Sequence, residues 1–375
     1  MHRIESSCRL VVVLLFSITL SACSQDSSPE PKDQAAVPVQ AATVSEDLPA
    51  PMSEADSPEV IVFGGIDDVE TWLEAENWWS DGVEDGPVSA PHVLITGIGP
   101  QWQENAQKIP VSDKKQAFYR FMLPLVLHAN EMVETRRKAL LRARDEVKAG
   151  EKLSAEELEQ LKKAMVLLRV GSEEEAGALT ADSPEMPRIL DDLIYRLDVI
   201  PPGLALGQAA YESGWGTSRF AVQGNSLFGQ WTFGGDGIAP EQKRKHLGNY
   251  GIAAFEWPFD SVRGYFINLM SHPAYEDLRK VRAELRAAGK PISSLALADG
   301  LLRYSERGQE YVDDLKGIIR VNDFDKADNA VFRDEPVRFL VMRATPEEAE
   351  ETRRKIDEMR ANGQIEEIVE RMRLD

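Results

Sequence analysis

Glu212, in the segment Ala209-Ala-Tyr-Glu-Ser-Gly-Trp-Gly216, is the side chain best placed to transfer a proton. It ends a run of small residues, with Ala209 and Ala205 at i−3 and i−7, so neighbouring backbone can approach its face and shelter it. Gly214 and Gly216 supply the left-handed geometry that stops a helix. A carboxylate at a helix C-terminus meets the negative end of the dipole, and Tyr211 and Trp215 stand ready to exclude water. Both effects raise its pKa, which is how a general acid is prepared. Taken alone, a terminal Glu beside glycine is more often a solvated surface group, so the neighbouring sequence has to decide.

Other chemistry is scarce. The two cysteines, Cys8 and Cys23, both lie near the N-terminus, so the remaining chain has neither disulfide nor thiolate. The five histidines form no HExxH or other close ligand pair and no phosphate loop occurs, so neither a metal nor another cofactor is expected. A net charge of −20 argues against nucleic acid, because phosphate binding needs clustered Lys and Arg. The acidity is uneven: 17 acids face one base, Lys32, between Ser24 and Gln107.

The elements that must position Glu212 follow from composition and period. Residues 1–22 read as a signal peptide, with Arg3 and Arg9 around a short polar start and an apolar run from Leu10 to Ile18. Leu20-Ser-Ala-Cys23 resembles the bacterial lipobox, which implies cleavage before Cys23, its acylation and a lipid bilayer as partner; an ordinary secretory signal is the plainer reading. Residues 23–57 are a Pro-, Ala- and acid-rich linker. Residues 58–107 form an acidic segment whose β-branched runs at 60–66 and 92–97 are expected to pair as strands, with Trp72, Trp78 and Trp79 anchoring it to the body rather than binding sugar.

Residues 108–185 are a supporting helical region. Ser112 is expected to cap a long helix, kinked at Pro124, and Ser154-Ala-Glu-Glu157 is a capping box for the next. Residues 186–325 hold a helix from about 187 to 198, the small-residue helix, and a hairpin signalled by Gly234-Gly-Asp-Gly237. Residues 326–375 are a C-terminal helical extension opening at Thr345-Pro-Glu-Glu348. Its broken apolar face, from Ile356 and Met359 to Met372, suits packing on the body or a groove in an unidentified protein partner.

The run from Pro202 to Trp231, PGLALGQAAYESGWGTSRFAVQGNSLFGQW, closely resembles the glucosaminidases of glycoside hydrolase family 73, most of all their Bax-type branch. Residues 110–130, 255–269, 274–279 and 304–311 agree in the same order, so the resemblance spans roughly 108–325. It implies an α+β, mainly α, lysozyme-like fold in which a helical lobe faces a small β-hairpin lobe. It also implies cleavage of the β-1,4 bond between N-acetylglucosamine and N-acetylmuramic acid in peptidoglycan glycan strands. Glu212 then stands where the family has its acid. Asn225, Leu227, Phe228 and Gly229 stand in an Asn-x-Leu-Phe-Gly motif that lines the groove, and Gln230 and Trp231 complete the expected substrate-binding set. Tyr304 stands where the family has a cleft tyrosine; the alternative is a core residue paired with Tyr311.

A second carboxylate is expected from the hairpin lobe. The resemblance to the family's flagellar members, where a hairpin glutamate precedes a Phe-Arg pair, implies Glu241, which stands at a similar distance from Phe255-Glu256; Asp236 and Glu256 are competitors, and the cysteine pair often found in Bax-type hairpins is absent. The combined expectation is an outer-membrane lipoprotein facing the periplasm that hydrolyses peptidoglycan. A lytic transglycosylase on the same fold, or a non-catalytic peptidoglycan-binding scaffold, are the alternatives.

Overall fold

The computed structural model describes residues 58–79, 88–233, 237–240, 250–343 and 345–362. Cys23, Asp236 and Glu241 therefore lie outside the described residues. The fold is α+β and mainly helical. In chain order its elements are β1 (Glu59–Phe63), α1 (Ile66–Ala75), β2 (Ser89–Ala90), β3 (Val93–Ile95), α2 (Gly99–Asn105), α3 (Val111–Lys148), α4 (Ala155–Leu167) and α5 (Glu173–Ala178). There follow α6 (Met186–Arg196), α7 (Pro202–Ser213), α8 (Arg219–Gly224), β4 (Trp231–Phe233), β5 (Tyr250–Ile252), α9 (Pro258–Ser271) and α10 (Glu276–Ala287). The last are α11 (Ser294–Leu297), α12 (Gln309–Val321), β6 (Val331–Phe332), β7 (Arg338–Met342) and α13 (Pro346–Ala361).

Helix α3 is the spine. From Ala117 to Leu127 every residue is buried, so here the helix runs through the core rather than along its edge. It begins after Pro110, and Ser112, expected to cap it, instead lies inside the first turn and bonds the Asp113 carboxylate. It is one continuous element through Pro124. Proline has no N–H to give the carbonyl four residues back, which is that of Arg120. The Trp78 indole N–H donates to that carbonyl at 3.1 Å, and the Arg120 guanidinium lies 4.4 Å over the Trp78 ring. Trp78 thus anchors the N-terminal segment to the body.

The expected pairing of the two N-terminal strands is corrected: β1 and β3 do not pair with each other but flank β7, both parallel to it. Glu59 to Phe63 stand opposite Arg338 to Met342, and Val93 to Ile95 opposite Arg338 to Leu340. The region read as a helical extension therefore supplies the central strand. Its run Phe-Leu-Val is buried, as in a parallel strand covered on both faces. Thr345 caps α13 as expected. The helix packs on its own sheet, Ala349 and Ile356 meeting Val60, Val62 and Val341, while Arg353 donates to the Val62 carbonyl. Residues 363–375 of the expected partner-binding face lie outside the described residues. A cavity of about 690 Å³ opens between α13, β7 and residues 96–101, and no predicted site residue lines it.

Helix α4 opens with the expected capping box. Helix α7 is almost wholly buried. A Cβ at Gly207 would come within 2.7 Å of the Ile319 side chain, so only glycine lets α12 lie this close. The Asp328 carboxylate holds the N-terminal end of α7, accepting from Gly203 N–H at 2.9 Å and from Ser294 N–H at 2.8 Å. At the C-terminus of α6, the buried Arg282 donates to the carbonyls of Tyr195, Arg196, Asp198 and Val199. β4 and β5 pair antiparallel, with Trp231 opposite Ile252 and Phe233 opposite Tyr250, while residues 234–236 of the expected turn lie outside the described residues.

Candidate active site

Glu212 sits in the last turn of α7. Gly214, left-handed at φ 58°, ends that helix, its N–H donating to the Ala210 carbonyl. The other wall is the loop after α8, where left-handed Gly229 faces Glu212: a Cβ there would sit 3.8 Å from the Glu212 carboxylate.

A buried polar chain leads to the carboxylate. Gln208, one turn before Glu212, is fully buried. Tyr265 donates its hydroxyl proton to Gln208 Oε1 at 2.6 Å, which leaves the amide Nε2 to donate to the Tyr311 oxygen at 2.9 Å. With its lone pair so engaged, Tyr311 has its own proton free to donate, and it gives it to Glu212. The charge of an ionised Glu212 is also felt by Tyr265, Tyr275 and Tyr304, whose hydroxyls burial already holds above the usual tyrosine range.

Among the described residues no cation offsets the charge of Glu212. Burial pushes Glu212 up to about 7, and the Tyr311 hydrogen bond only partly opposes it. The carboxyl therefore keeps its proton across mildly acidic pH and remains able to give it up. The expected causes are partly corrected. Trp215 is left-handed at φ 62° and its indole packs away from Glu212, edge-on to Phe118 at 5.5 Å with Lys115 4.9 Å above it. Tyr211 instead packs edge-on against Tyr311 at 5.4 Å and meets Arg307 with its hydroxyl.

The other predicted residues fall into two groups. Tyr304 belongs to the cluster: it stacks on Tyr311 at 5.5 Å, while its hydroxyl donates to the Phe228 carbonyl at 3.0 Å. Asn225, Leu227, Phe228 and Gln230 hold the loop in place. Asn225 accepts from Ile98 N–H at 3.1 Å and donates to the carbonyls of Phe255 and Glu256. Leu227 is buried and donates its N–H to Ser261 Oγ, and Phe228 stacks on Tyr265 at 3.9 Å. Gln230 exchanges two hydrogen bonds with Ser261. Trp231 stays half-buried on β4, stacked on Tyr250 at 5.1 Å beside Phe233, which is 48% exposed, so these two rings give the hairpin an accessible aromatic face. Glu256 is exposed.

Tyr311, Gln208 and Tyr265 were missed as site residues. Gln208 could have been found, because it is the one amide in an otherwise apolar stretch of α7, one turn from the acid.

A titration tests this arrangement without a substrate. Followed by carbon-13 NMR of the carboxyl groups, Glu212 is expected to titrate with a midpoint near 7. In Tyr311→Phe the carboxylate loses its donor, so the midpoint should move upward; a downward move would contradict the hydrogen-bond assignment.

Comparison with known proteins agrees with this geometry. Residues 192–324 match a glucosaminidase family model described as mannosyl-glycoprotein endo-beta-N-acetylglucosaminidase. Over 119 residues the chain is 39% identical to Protein bax of Escherichia coli (strain K12), a stretch that is 32% of this chain and spans 42% of that relative's length. No solved structure matches. Residues 192–324 are thus similar to a glucosaminidase domain, and Glu212 with its tyrosines lies within the matched stretch.

Proposed function

We propose that this chain is a peptidoglycan hydrolase that cuts the β-1,4 bond between N-acetylglucosamine and N-acetylmuramic acid, with a lysozyme-like active site. The observation that carries the reading is Glu212, held protonated to near neutrality inside a shell of tyrosines and an amide. Its proton passes to the glycosidic oxygen as the C1–O bond breaks, and the departing sugar leaves as a neutral alcohol. Glu241 is then the carboxylate that takes a proton from water as it attacks C1. Trp231 and Phe233 offer rings on which sugar faces can stack.

A second reading is a lytic transglycosylase. It needs a single acid, which Glu212 supplies. Digestion of purified sacculi separates the readings by mass spectrometry of the released ends. Reducing N-acetylglucosamine ends support the hydrolase and 1,6-anhydro ends the transglycosylase, whereas binding without release points to a scaffold.

We also propose that the chain is an outer-membrane lipoprotein anchored through acylated Cys23 and facing the periplasm. Leu20-Ser-Ala-Cys23 supports it. Among the described residues no helix is long and apolar enough to cross a membrane. Cys23→Ala is expected to accumulate as an unprocessed, unacylated form; normal processing and membrane fractionation of this variant would remove the assignment.

A further inference from the structure

No two histidines are close in sequence, yet the fold brings two of them together with a carboxylate. His128 and Glu131 lie one turn apart on α3, and the fold brings His92, between β2 and β3, against them. One ligand atom from each of the three lies within 4.8 Å of the others, and they are the one such group among the described residues.

We propose that His92, His128 and Glu131 bind a single divalent transition-metal ion, of the zinc class, that ties the N-terminal sheet to α3. Two imidazoles and one carboxylate are the donor set that zinc, cobalt and nickel favour, whereas magnesium and calcium prefer oxygen donors alone. Three protein ligands leave a fourth position for water.

The histidines are held in place by contacts other than any metal. His92 is fixed by its backbone, the N–H donating to the Glu335 carboxylate at 2.9 Å and the carbonyl accepting from Arg338 N–H at 2.9 Å. Its ring stacks on Phe332 at 4.0 Å, and the His128 ring meets Phe259 edge-on at 5.0 Å. The His92 Nε2 atom is buried and makes no hydrogen bond, so this ring brings an unused polar atom into the interior. Zinc bonds of about 2.0–2.1 Å would draw the donors closer than they stand here. Glu131, exposed at the edge of the cluster, has the freedom to close that gap. The metal is assigned no part in sugar chemistry: its place is the seam between residue 92 and α3.

The test uses the full chain without an affinity tag, stripped with a chelator and titrated with zinc chloride, with cobalt chloride as a spectroscopic probe. Wild type is expected to bind one equivalent tightly, to show a tetrahedral or five-coordinate cobalt spectrum, and to melt at a temperature that rises with zinc concentration. Glu131→Gln keeps size and changes an exposed side chain, so it should fold normally while binding zinc at least roughly tenfold more weakly; His128→Asn should lose more. Uptake by wild type that does not exceed that of Glu131→Gln would overturn the site. So would binding that survives in both variants, because that assigns the metal to histidines elsewhere.

Discussion

Glu212→Gln is expected to lower release of glycan fragments by at least about a hundredfold without loss of the fold. Glutamine keeps the shape and can still accept from Tyr311, but it has no proton to give a leaving oxygen. Stability supplies a second readout. The folded-state pKa of Glu212 is raised to about 7 from an ordinary 4.5, so the stability linked to its bound proton is fully present below about 4.5 and is lost as pH rises through 7. At pH 8 wild type carries a buried carboxylate that the amide variant lacks. Urea unfolding at pH 5 and pH 8 should therefore show wild type weakening relative to Glu212→Gln by up to about 3 kcal/mol. If the second carboxylate is Glu241, Glu241→Gln should reduce hydrolysis by a comparable factor, because members of one acid–base pair act as a unit. A fully active Glu241→Gln with anhydro products would instead favour the transglycosylase.

Arg282→Met is expected to cost about 3–5 kcal/mol of stability, the range for removing one partner from a buried charged network. Burial pulls the guanidinium down to about 10, with Asp198 opposing, so it remains charged at neutral pH. Its two terminal nitrogens donate to four carbonyls around the end of α6, groups that a helix C-terminus cannot satisfy internally. Asp198 beside it accepts two bonds from Arg286, at 3.0 and 2.6 Å, and lies 3.6 Å from Arg137. Methionine fills much of the volume, so the loss would report unsatisfied carbonyls rather than a cavity. Chemical denaturation measures it. A loss below about 1 kcal/mol would mean that water or Arg137 replaces the missing donors.

What was legible beforehand was mostly local. Ser154 with Glu157, Thr345 before Glu348, and Gly214 after Ser213 each mark a helix end by chemistry within a few residues, and each end is where its residues place it. Ser112 misled because Pro110 two residues earlier already starts the helix. Glu212 was legible as a candidate acid only with the segment around it, because its position alone suits a solvated surface group equally well. Its actual sheltering was not, since Tyr311 and Tyr265 come from helices far along the chain. The same holds for β7. Its apolar run resembles a buried helix segment as much as a strand, and parallel pairing leaves no turn beside it to settle the matter. His92 and His128 meet only because β3 lies against α3, a contact that no spacing encodes.

The position of β7 between β1 and β3 also sets an order for folding. Glu59 meets Arg338 about 280 residues later in the chain, and the two N-terminal strands have no hydrogen-bonded partner in this sheet other than β7. Until β7 docks, β1 and β3 have open edges, and loop-closure entropy must be met before the sheet yields any stability. The helices of residues 192–324 meet over shorter separations than Glu59 and Arg338, α7 and α12 being about 100 residues apart, and are free to settle first. The sheet then closes only once β7 is available, and α13, which follows β7 directly in the chain, covers it, so residues far along the chain complete what the first described strand began.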